Sequence, residues 1–149
     1  MKAKVEAGAD VVLTQPPLLP NQSASFFEQA AADGTMERAK IMIGVPMVPS
    51  LRNLDFWLRL ADARNLPEAE AVLNSFPRQT NNNGGDGSEK GGGEEEEEEY
   101  WNRVKKWNVD FIRNSLNIPG VAGLHVMPLT AAARKMTMEL LQEGAFSVI

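Results

Sequence analysis

Gln15 closes the run Val11-Val12-Leu13-Thr14-Gln15 and stands directly before Pro16-Pro17. An amide at the carboxyl end of a strand presents a donor and an acceptor side by side, a pattern suited to the edge of a heterocycle. The same amide is equally able to serve loop backbone ahead of two prolines, so on position alone both readings stay open. The single histidine, His125, lies in the apolar run Leu124-His125-Val126-Met127 with no Asp or Cys beside it, and reads as a hydrogen-bonded core residue. Tyr100, Trp101 and Trp107 recur at helical spacing and read as helix packing rather than as a cofactor stack. The six glutamates at 94–99 could attract a cation or a basic partner, but a run of like charge reads as solvated and self-repelling.

What is missing narrows the chemistry further. The chain has no Cys and one His, which excludes disulfides, thiolate zinc sites, a cysteine nucleophile and His-pair metal centres. No dinucleotide fingerprint, phosphate loop, H-E-x-x-H or G-x-S-x-G is present. The glycine-rich stretch at 84–93 is fed by no strand and followed by no Lys-Ser/Thr. No residue is assigned as catalytic and none as a metal ligand.

These side chains must be placed by short elements. Val11-Val12-Leu13 predicts a buried strand, ended by the prolines because they carry no N–H for a ladder. A helix capped by Ser23 or Ser25 runs through 32, and Asp33-Gly34 ends it. Ile41-Met42-Ile43-Gly44-Val45 predicts a second strand. Ser50 or Asn53 starts the next helix, with Leu54, Leu58 and Ala61 as its buried stripe, and a shorter helix over 68–73 follows Pro67. Tyr100, Val104, Trp107 and Phe111 predict an amphipathic helix, Leu124-His125-Val126-Met127 a third strand, and Thr130 caps a last helix through 143. Strands alternating with helices imply a parallel sheet of the α/β class, with about three βα units.

Between the halves, residues 80–99 hold eight acids against one base and no large apolar side chain. This stretch reads as a disordered low-complexity insert, unable to bury enough surface to offset the entropy of ordering. Its charge of −7 exceeds the whole chain's −5, so the remainder carries +2, which supports neither a nucleic-acid footprint nor an acidic-protein surface. No apolar run approaches a membrane span, and the opening residues lack the apolar core of a signal peptide. A cytoplasmic protein is expected.

The segment Lys4-Val5-Glu6-Ala7-Gly8-Ala9-Asp10-Val11-Val12-Leu13-Thr14-Gln15-Pro16 resembles a signature of the methylenetetrahydrofolate reductase family. Ile43-Gly44-Val45-Pro46-Met47-Val48-Pro49-Ser50 is similar to that family's G-I-x-P strand end, and Gly120-Val121-Ala122-Gly123-Leu124-His125 resembles its G-V-x-G-x-H-F strand, in the same order. The resemblance implies the C-terminal half of a (β/α)8 barrel of the TIM type over residues 1–149, interrupted by the insert at 80–99. It implies FAD as cofactor, NAD(P)H as electron donor, and hydride transfer to 5,10-methylenetetrahydrofolate giving 5-methyltetrahydrofolate. Carried over residue by residue, Lys4 stands where the family's lysine contacts FAD, and Gln15 where its glutamine contacts the folate pterin.

The family's late strand continues into an aromatic pair and T-L-N-R, whose Tyr and Arg help to hold substrate. Here that stretch is Val126-Met127-Pro128-Leu129-Thr130-Ala131. Met127 cannot donate as a tyrosine does, and Ala131 has no guanidinium for a folate carboxylate. A complete barrel needs about 250 residues, whereas this chain has 149. Half a barrel exposes two strand edges, which predicts a homo-oligomer or a complementary half-barrel as partner. The alternative is a non-catalytic, degenerate relative acting as a protein-interaction module.

Overall fold

The computed structural model describes residues 1–79 and 93–146. A short helix, α1 (Lys2–Glu6), leads through Gly8 into β1 (Val11–Leu13). Gly8 has φ +100°, a conformation that side chains rarely adopt and that reverses the chain toward the sheet. Then follow α2 (Pro20–Ala32), α3 (Thr35–Arg38), β2 (Lys40–Pro46), α4 (Leu51–Leu60), α5 (Pro67–Ser75), α6 (Gly93–Leu116), β3 (Val121–Met127) and α7 (Ala131–Gln142). The three strands form one parallel sheet in the order β1-β2-β3, with Val12 opposite Ile41 and Gly44 opposite His125. Helices join each parallel pair, so the chain is an α/β protein.

Alternation along the strands gives the sheet two unlike faces. On one, Val12, Ile41, Ile43 and Val45 share a core with Phe27 of α2, Leu54 and Leu58 of α4, Val104 and Ile112 of α6, and Met136 and Leu140 of α7. Full burial of each such strand side chain contributes about 1.5–3 kcal/mol, so this face drives folding. The other face carries no helix among the described residues: Val11 is 58% and Leu13 53% exposed, and His125 is exposed as well. On that side Met42 and Met127 reach over Gly123 and Gly44, their methyl groups 3.1 and 2.9 Å from where a Cβ would sit.

His125 is therefore not a core residue. Its strand is apolar, but at this position the side chain points away from the helices. The insert also requires correction: α6 begins at Gly93, so the glutamates at 94–99 are helical. Glutamate is a good helix former, and acids in a first turn complement the positive end of the helix dipole. The rest of the expected insert, 80–92, lies outside the described residues. Along α6 the buried positions are Val104, Asn108, Ile112 and Ser115, while Tyr100, Trp107 and Phe111 flank them half-buried. The third strand is longer than expected, starting at Val121.

Ser50 caps α4 by accepting from the Asn53 N–H (3.3 Å), and Thr130 caps α7 by accepting from Ala133 (3.1 Å). Each satisfies one of the unpaired donors of a first helical turn. Helix α2 starts at Pro20, before either expected serine cap. Its free N–H groups find a distant partner instead: the Glu68 carboxylate of α5 accepts from Asn21 (3.1 Å) and Gln22 (3.3 Å).

Candidate functional site

Lys4 and Gln15 belong to different elements, yet they line one cleft of about 370 Å3 at the carboxyl end of β1. Strand ends of this kind are where parallel α/β sheets place their ligands. The Thr14 N–H donates to the Met42 carbonyl (2.9 Å), which extends the ladder by one residue and holds the strand end. The Thr14 hydroxyl donates to the Gln15 carbonyl at 2.9 Å. The Gln15 carbonyl is thereby satisfied, and the side-chain amide makes no hydrogen bond among the described residues. The amide is exposed to the cleft with both its donor and its acceptor available. Lys4, also exposed, has no ion pair among the described residues.

Gln22 and Phe26 of α2 add a second amide and an aromatic ring to the same cleft. Neither residue type carries a motif of its own in the sequence. The signal available was their i, i+4 spacing on the helix that follows β1, which puts both on one face. The Glu68 bonds to the first turn of α2 fix the helix that carries them.

The floor near Ala61 and Ala63 is braced by Asp55, which accepts from Arg59 Nε and Arg64 Nε at 2.6 Å each. Those bonds hold the Asp55 carboxyl below its ordinary value of 3.8. Asp33 is lowered likewise, first by the Thr35 hydroxyl that donates to it. A carboxyl whose pKa is depressed by folding contributes stability that is complete above pH 3.8 and is lost as pH falls through the lower folded value. The melting temperature is therefore expected to decline below that pH. In Asp33→Ala/Asp55→Ala the protein should be less stable at neutral pH and its acid decline shallower. Thermal melts across pH 2 to 7 check both, roughly spanning the carboxylate range.

His125 is not brought to this cleft. It faces the open side of the sheet, opposite Gly44. Met127 also lies over that open face, and Ala131 is exposed at the start of α7. No carboxylate or imidazole lines the cleft among the described residues, and the groups it offers to bind and orient a ligand are the Gln15 and Gln22 amides and the Lys4 ammonium. Among the described residues no group of three or more His, Asp or Glu is placed to hold a metal ion.

The cleft is near the small end of ligand sites, which run from about 300 to 1,000 Å3. It suits one flat ring system, with Gln15 and Gln22 for its edge and Phe26 for its face. It does not fit a whole FAD. A pyrophosphate needs several backbone N–H groups or cations, and Lys4 is the one Lys or Arg side chain lining the cleft among the described residues.

No protein-family model, curated protein or solved structure matches the chain. No helix among the described residues is long and apolar enough to cross a membrane.

Proposed function

We propose that this chain is the folate-facing part of a methylenetetrahydrofolate reductase-type (β/α)8 barrel. In this reading Gln15 holds the pterin edge and Lys4 reaches toward the flavin. The observation that supports it is the convergence of Lys4 and Gln15 on one cleft, with the Gln15 amide unspent on its own loop. The chain's own share is to bind and orient 5,10-methylenetetrahydrofolate. The hydride chemistry of NAD(P)H and FAD lies beyond its residues, because the cleft does not fit the whole cofactor. Among the described residues the outer edges of β1 and β3 are unpaired, and a complementary half-barrel would add its strands there.

Calorimetric titration with 5-methyltetrahydrofolate tests this reading. The wild-type chain should bind saturably, and Gln15→Ala should bind about tenfold more weakly, the equivalent of one to two hydrogen bonds. Its melting temperature should not change, since Gln15 is exposed. Equal affinity for both proteins would remove Gln15 from the site. After incubation with FAD and dialysis, the visible spectrum should show no retained flavin.

A second reading is favoured by Met127 and Ala131, which stand where the family holds substrate. Leu129, Met138 and Leu141 are exposed on the segment that follows the free β3 edge. A non-catalytic relative would use this apolar flank to bind a protein. An intact fold with no folate binding selects that reading.

A further inference from the structure

A second cavity, larger than the cleft of Lys4 and Gln15, lies on the helical side of the sheet between α2 and α6, with a volume of about 680 Å3. Lys4 and Gln15 do not line it, although it shares Pro17, Leu18, Ser23 and Phe27 with the smaller cleft. One wall is a fixed aromatic pair: Trp107 stacks on Phe111 with centroids 5.9 Å apart and planes 2° from parallel. Trp107 is braced edge-on by the buried Phe76 (5.1 Å, 63°), and its Nε1–H donates to Ser75 Oγ at 3.3 Å. Its rings are thus held in place before any ligand arrives. Phe27, Val72 and Ile118 extend the apolar surface.

The charge of the lining has one sign. Glu28 and Asp110 face the groove from its two helices, and no Lys or Arg lines it among the described residues. Asp110 is paired along its own helix with Lys106 at 2.9 Å. Glu28 is the sole charged residue of α2 and has no ion pair among the described residues. An uncompensated carboxylate beside electron-rich ring faces favours a cation and disfavours an anion. The apolar walls require that this cation carry a hydrophobic body. We propose that the groove is a second binding site, for an organic ammonium ion with an aromatic or branched apolar body. This site does not depend on the folate reading.

The test is calorimetric titration with two probes of like shape and opposite charge, 1-naphthylmethylammonium and 1-naphthoate. The ammonium should bind saturably in the sub-millimolar range, and the carboxylate at least about tenfold more weakly. Glu28→Gln, an exposed change that leaves the melting temperature unaltered, should narrow that ratio by about threefold. Phe111→Leu should weaken the ammonium probe as well, through loss of the stacked pair. Equal binding of the two probes overturns the proposal. So does a ratio untouched by Glu28→Gln, which would place the cation elsewhere, for example on the glutamates at 94–99. Absence of saturable binding up to about 5 mM overturns the site altogether.

Discussion

Asn108→Ala is expected to destabilise the fold by about 3–5 kcal/mol. Asn108 is 1% exposed and makes three hydrogen bonds. Its Oδ1 accepts from the Val48 N–H at 2.8 Å, while its Nδ2 donates to the Val48 carbonyl at 2.8 Å and the Val104 carbonyl at 2.9 Å. Val48 sits just beyond β2, in the buried segment Met47-Val48-Pro49, where backbone polar groups are cut off from water. The amide thus extends the ladder by proxy and ties the exit of β2 to α6. Truncation strips Val48 of both bonds, at about 1–3 kcal/mol for each buried group left without a partner. Total stabilities of single domains are about 5–15 kcal/mol, so the variant should lose a large share. Urea unfolding checks this through the midpoint. Asn114→Ala, an exposed change on the same helix, should stay within about 0.5 kcal/mol of wild type. Asn108→Asp should be no rescue, because it keeps the acceptor but turns a carboxylate toward two carbonyl oxygens. A midpoint for Asn108→Ala close to that of Asn114→Ala would contradict the buried clamp.

Asn108 also marks the boundary of what the sequence could tell. Signals confined to a few neighbouring residues were legible: the Ser50 and Thr130 caps, the Leu54 and Leu58 stripe, and the strands around Val12 and Ile43. Each depends on side chains acting on backbone or partners within one turn or one strand. Features that depend on residues far along the chain were not. The start of α2 was missed because its donors are served by Glu68, 46 and 47 residues away. The inward stripe of α6 was misplaced because Asn108 and Ser115 are polar. They are buried on account of their bonds, to Val48 and to the Phe111 carbonyl (2.8 Å). Hydropathy counted the bulky Trp107 and Phe111 as core, whereas they flank the core and line the groove.

The site divides in the same way. Gln15 was legible as a donor–acceptor pair at a strand end, with its alternative open. The structure has the Thr14 hydroxyl on the Gln15 carbonyl and the side-chain amide unengaged among the described residues. Gln22 and Phe26 needed the docking of α2 against β1 before their shared face had a direction. The apolar strand neighbours of His125 suggest a core position. Its exposure follows from the sheet carrying helices on one face alone among the described residues. That inference requires the topology as well as the run of residues.

The open face leads to the second large effect, at Gly44. A Cβ there would come 2.6 Å from the Thr14 carbonyl oxygen and 2.9 Å from the Met127 methyl. Replacing a strand glycine by alanine ordinarily gains about 0.5–1 kcal/mol through reduced backbone entropy. Overpacking ordinarily costs about 1–3 kcal/mol. The second should win here because the nearer neighbour is backbone. The Met127 methyl ends a flexible chain over an open face and can swing aside. The Thr14 carbonyl cannot, since the Thr14 N–H is held by the Met42 carbonyl at 2.9 Å and its hydroxyl by Gln15 at 2.9 Å. Gly44→Ala should therefore lower stability by about 1–2 kcal/mol, and adding Met127→Ala should not restore it. Recovery in the double variant would move the conflict to Met127 and free Thr14 from it. Relief of the contact has to push Thr14 and Gln15 outward. On the proposed folate reading, the single variant should thus also weaken 5-methyltetrahydrofolate binding, by about as much as Gln15→Ala does. Weakened stability with unchanged folate affinity would separate the strand contact from the cleft and show that Gln15 is not positioned through Gly44.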